Sequence, residues 1–192
     1  MGAKGEETRA RLVAGTRNLI EAQGYFGTGL NQIVSESGAP RGSLYFHFPE
    51  GKDQLVAAAI LQAGQEIEEL LKSLAREGAD VATIIGHLTE LFTARLEASD
   101  YTKGCPIATV GLEVAGSNEA LRRICAEVYS GWQQVITERL TAQGFGPAEA
   151  EITSGQTLSL LEGAVLLARV RRSRRPLDDA RHAVGRLLEA EA

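Results

Sequence analysis

The chain has 192 residues, 44% of them hydrophobic, which is enough for one or two domains with a packed core. Its formal net charge of −5 excludes a molecule coated in basic surface for indiscriminate nucleic-acid binding, but not a small reader with a few aimed donors. Two cysteines, Cys105 and Cys125, are too few for a disulfide scaffold and suit a reducing compartment.

Residues 1–11 lack the apolar run of a secretory leader, and no segment has the roughly 20 apolar residues of a membrane span. A cytoplasmic protein without a membrane partner is therefore expected. Helix-period apolar patterns dominate and no segment sustains strand alternation, so the fold expected is all-α, with about nine helices. The first covers 6–23, with Leu12, Val13, Thr16, Leu19 and Ile20 inward and Gly24 closing it. Short helices follow over 30–37 and 40–46, with a turn at Gly38; Pro49 and Gly51 then break the chain. A long fourth helix covers 52–76. Five more are expected over 81–98, 106–115, 119–143, 147–171 and 177–189, with Pro106, Pro147 and Pro176 at or near helix starts. The domains expected are a three-helix head, 1–51, and a larger helical body, 52–192.

The head carries the strongest signal. Ile33, Val34 and Leu44 are spaced to pack two short helices against the first, and Gly38 suits the tight turn between them. That is helix-turn-helix spacing. The second short helix would present Arg41, Ser43, Tyr45 and His47 as donors to phosphates and base edges, with Asn31 a further candidate on the first. Gly42, without a side chain, would allow close approach to DNA. The head's charges are balanced, so composition alone would favour a helical hairpin in an ordinary bundle; the turn, the spacing and a family resemblance of the same segment together reverse that in favour of a DNA reader.

From Thr8 through Leu55 the head resembles that of a TetR-family regulator. The matching pieces are Gly24-Tyr25-Phe26-Gly27-Thr28, Ile33-Val34, Ser37-Gly38, and Gly42-Ser43-Leu44-Tyr45-Phe46-His47-Phe48-Pro49 followed by Lys52. The resemblance implies that Thr28 caps helix two and touches phosphate, that Tyr45 and His47 contact backbone or bases, and that Lys52 anchors helix four to phosphate. Val34 and Ser37 depart from the family's usual alanine, Ala39-Pro40 replaces its common Val-Ser, and Glu50-Gly51 adds one residue before the lysine. The last feature is similar to the LmrA/YxaF-like subgroup, as is the run Gly104-Cys-Pro-Ile-Ala108 in the body.

That resemblance implies a body that binds a small, largely apolar effector. Candidate lining residues are Ile84, His87, Leu88, Leu91 and Phe92 on helix five, Val128 and Trp132 on helix seven, and Gln156, with His87 and Gln156 the polar members. Each apolar residue of this kind is more often plain core than pocket wall. Helix eight is apolar nearly all round, so it needs two partners. Gly155, Leu158, Ser159, Gly163 and Leu166, with Leu177, Val184 and Leu188 of helix nine, are the expected dimer interface; the family's last two helices make a four-helix contact with their twofold mates. Arg169, Arg171, Arg172, Arg174 and Arg175 complement a helix C-terminus and are not expected to bind DNA. Cys105, at a helix start, fits a structural thiol better than a redox sensor.

The expected protein is a homodimeric, ligand-responsive repressor whose partners are palindromic double-stranded operator DNA and a small-molecule effector. It needs no cofactor and no metal. An enzyme is disfavoured by the lack of a nucleophile–base motif, phosphate loop or metal-spaced cluster. An unregulated architectural dimer is the other alternative.

Overall fold

A computed structural model of the chain describes residues 2–190. The described residues form nine helices: α1 (Ala3–Gly27), α2 (Leu30–Ser37), α3 (Arg41–His47), α4 (Lys52–Arg76), α5 (Val81–Ala98), α6 (Pro106–Val114), α7 (Glu119–Ala142), α8 (Pro147–Arg171) and α9 (Arg175–Ala190). The all-α expectation holds, with local differences. α1 runs past Gly24, but the backbone there turns to φ 72, ψ −172, so the regular helix does end where the glycine falls. α3 starts at Arg41 rather than Pro40, whose ψ of 138° leaves it outside the helix as the N-cap. α9 starts two residues before the expected Leu177.

The chain divides into two compact units. One runs through Gln65 and takes in Cys105–Val128; the other comprises Glu66–Gly104 and the chain from Tyr129 onward. The division therefore cuts α4 near its middle and groups α6 with the first three helices.

In the first unit, α1 packs against α2, α3 and α6. Leu12, Ile20, Ile33, Leu44, Phe48 and Leu55 are fully or almost fully buried there. Gly15 permits this: a Cβ at that position would lie 3.1 Å from the Ser37 backbone nitrogen. Ser37, which replaces an alanine of the family pattern, is itself buried; its hydroxyl donates to the Val34 carbonyl (3.1 Å) and accepts from the Ala39 amide (3.2 Å). The added Gly51 is accommodated in the left-handed region (φ 75), its amide closing a turn on the Phe48 carbonyl at 2.9 Å before α4 begins.

In the second unit, α9 packs on α8 and α5. Asp80 caps α5, its carboxylate accepting from the Thr83 amide at 2.7 Å. Arg139 of α7 donates to the carbonyls of Ala79 (2.6 Å) and Gly78 (2.8 Å), satisfying acceptors in the turn after α4. The arginine-rich α8–α9 connection is held by ion pairs, Arg172 to Asp100 and Arg174 to Glu90 and Asp178. These charges serve the fold locally.

Candidate nucleic-acid interface

α2, the Gly38 turn (φ 59) and α3 form the helix-turn-helix. Leu44 and Phe48 are 1% exposed and fix α3 on the core of its unit. That leaves Arg41, Gly42, Tyr45 and Phe46 on its outer side. Arg41 reaches the Asn31 amide oxygen at 3.3 Å, so the two candidate contacts from α2 and α3 lie side by side. Ser43 and His47 are only half-buried on the flank.

Thr28 is a correction. The resemblance made it the cap of helix two and a phosphate contact, but it is 1% exposed and its hydroxyl donates to the Gly24 carbonyl at 2.7 Å. Gly29 is the N-cap residue of α2, and Gln32 Oε1 accepts its amide at 2.8 Å. A buried hydroxyl committed to its own helix end has no free surface to offer DNA.

Lys52, expected at phosphate, sits half-buried at the start of α4 with Nζ 4.0 Å from the centre of the Tyr25 ring. Burial lowers its pKa, and the charges of Asp53 and Glu113 oppose that shift. Tyr25 donates to Asp53 Oδ1 at 2.6 Å, and Asn118 donates to Asp53 Oδ2 at 2.8 Å. Burial, then the hydrogen bond and charge of Asp53, push the Tyr25 phenol up to about 12, so it stays a donor. Glu113 of α6 accepts the Phe26 amide at 2.8 Å. The corner between α1 and α2, the start of α4 and the end of α6 are thus tied by one polar network. None of its acidic members was singled out from the sequence.

In the second unit, the expected effector residues are only partly brought together. Leu88, Phe92 and Trp132 line one cavity with Ile67, Leu71 and Glu162; it holds about 10 Å³, near the room one water needs. Ile84 is 1% exposed and packed in the core rather than on the cavity wall, and Leu91 is half-buried off it. His87 and Gln156 are corrections: both are exposed, and His87 Nδ1 pairs with the Thr83 carbonyl at 2.9 Å. Val128 belongs to the first unit, against Gly64, where a Cβ would meet its methyl at 2.6 Å.

Among the expected interface residues, Ser159, Gly163 and Leu166 are exposed on α8, and Gly155 is half-exposed. Ile152, Leu167 and Val170 extend the same apolar stripe at 62%, 43% and 72% exposure. Leu158 instead lines the cavity. Leu177 and Val184 are corrections, because at 0% and 1% exposure they are already buried within the chain. Leu188 is half-buried. Both thiols are buried, and burial pushes Cys125 up to about 11, leaving it protonated and inert at neutral pH.

Residues 12–59 match the family described as bacterial regulatory proteins, tetR family, and residues 81–183 match the C-terminal domain described as transcriptional regulator LmrA/YxaF-like. The chain belongs to the TetR family. It is 33% identical over 171 residues to the HTH-type transcriptional regulator YxaF of Bacillus subtilis, spanning 89% of this chain and 90% of that one. LmrA of the same organism is 32% identical over 171 residues, with 89% and 91% covered. The fold is similar to that of a TetR regulatory protein from Rhodobacter sphaeroides, with a TM-score of 0.82 at 20% identity over 93% of this chain and 97% of that one. The protein is a DNA-binding transcriptional regulator of the TetR type, and its relatives are regulators rather than enzymes. Among the described residues, no helix is long and apolar enough to cross a membrane.

Proposed function

We propose that this TetR-family regulator is a cytoplasmic homodimeric repressor that binds a palindromic operator and is released by a small, largely apolar effector. The observation that carries this reading is the outward stripe of α8. Ile152, Leu166, Leu167 and Val170 lie exposed, with Gly155, Ser159 and Gly163 at helical spacing among them. An apolar stripe with small residues at its centre favours close antiparallel packing against the same helix of a second copy. Two heads related by a twofold axis then read a near-palindrome.

DNA contact is assigned to Asn31, Arg41, Gly42, Ser43, Tyr45 and His47, with Lys52 near phosphate. The reader is assigned to residues 1–51, and effector binding and dimerisation to 52–192. The effector site is assigned to the apolar cavity lined by Leu88, Phe92 and Trp132. Because that cavity has almost no free room, an effector has to displace side chains to enter. Such a ligand favours a different state of the body, which is the condition for coupling to DNA release. Repression follows when the unliganded dimer occupies its operator.

Selection of bound sequences from random DNA tests the reading, together with light scattering of the purified protein. The expected outcome is an enriched palindrome bound by a dimer, lost with Tyr45→Ala. A monomer at micromolar concentration, or enrichment without palindromy, would overturn the dimeric reader.

A further inference from the structure

The outer side of α3 carries two kinds of chemistry. Arg41 and Tyr45 supply donors, and Tyr45 is 61% exposed. Phe46 is apolar and more exposed still, at 74%, making an edge contact with the His47 ring at 5.0 Å between centroids. A phenyl ring held in water on a short helix is unfavourable in the free protein. Its core-facing neighbours Leu44 and Phe48 already secure α3, so the ring is not needed for packing.

Its position along the helix gives it a use. Gly42 lies one turn before Phe46, and a Cβ built on Gly42 meets nothing within 4 Å. Positions four apart share one side of a helix, so Gly42 and Phe46 lie on the same side of α3, one turn apart. The open space above the Gly42 backbone therefore lies on the same side of α3 as an exposed phenyl ring. In the major groove only thymine presents an apolar group, its C5-methyl; the other edges offer donors and acceptors alone.

We infer that Gly42 and Phe46 together read a thymine in each half-site through its C5-methyl group. This rests on the reading of α3 as the element that enters the major groove. It assigns base discrimination to a residue outside the donor set, and it makes the glycine part of the specificity rather than mere clearance.

The test uses the full-length protein and the operator obtained by selection. Each thymine of a half-site is replaced in turn by deoxyuridine, which removes the methyl and keeps every hydrogen-bonding group. One position is expected at which wild-type binding weakens about fourfold, the size of one lost methyl contact. At that position Phe46→Ala should bind the thymine and deoxyuridine operators alike, with unchanged helical content and melting. Gly42→Ala, which meets open space in the protein, should fold normally yet lose preference for the same thymine. If wild type tolerates deoxyuridine at every position, or Phe46→Ala keeps the full deoxyuridine effect, the inference is overturned while the DNA reading stands. If selection enriches no sequence, the DNA reading itself falls, and this inference with it.

Discussion

At Gly24 the backbone takes φ 72 and ψ −172, a region that residues with a Cβ almost never enter. A Cβ there would also lie 2.2 Å from Glu113 Oε1, the carboxylate that accepts the Phe26 amide. Gly24→Ala is therefore expected to cost about 2–3 kcal/mol, from backbone strain and the displaced carboxylate. Urea denaturation would check it; a loss below about 0.5 kcal/mol would mean that the corner is softer than its geometry implies. The glycine itself was legible in the sequence, as a helix stop. Its second role was not, because Glu113 is 87 residues away and leaves no local pattern. Thr28 shows the opposite failure: a family pattern assigned it a contact with DNA, whereas the local competition for its hydroxyl is won by the Gly24 carbonyl.

Among whole elements, α8 is the one whose sequence announced two buried faces. Periodicity could say that it needed two partners, but not which residues faced which. Leu161, Val165 and Ala168 turn inward, while Leu166, Leu167 and Val170 remain exposed. On α9 the single apolar face was legible, yet its partner was not: Leu177 and Val184 are spent within the chain. The double substitution Leu166→Glu with Val170→Glu is expected to weaken dimerisation at least about 100-fold, since twofold symmetry places each charge at the interface twice. Sedimentation would register a monomer with the helical content of the wild type. A dimer of undiminished stability would move the interface off this stripe. α5 was misread in a similar way: its apolar residues Ile84, Leu88 and Phe92 were identifiable and are buried, but His87 falls off that face and pairs with the Thr83 carbonyl of its own helix.

At the scale of the molecule, the instructive feature is that α6 and the beginning of α7 belong to the same compact unit as the helix-turn-helix. Helix count and order followed from apolar period and proline placement. The grouping did not, because it depends on Glu113 meeting Phe26 and Asn118 meeting Asp53 across long stretches of chain. Glu113→Ala is expected to speed hydrogen exchange of the Phe26 amide about tenfold or more, because one hydrogen bond to a charged acceptor is lost. The same variant should alter operator affinity although Glu113 lies on α6 rather than on α3. Unchanged exchange at Phe26 would mean that the amide is protected by burial instead.

The chain has one tryptophan, and the fold puts it on the wall of the apolar cavity, with Tyr129 edge-on to it at 5.6 Å between ring centroids. Light absorbed by indole alone is thus absorbed at a single known place, beside the site assigned to the effector. The protein carries its own built-in lamp: a compound that parts Trp132 from its neighbours would change the colour or brightness of the emission without any label. A library of apolar molecules could then be screened by eye of the fluorimeter before any operator is in hand.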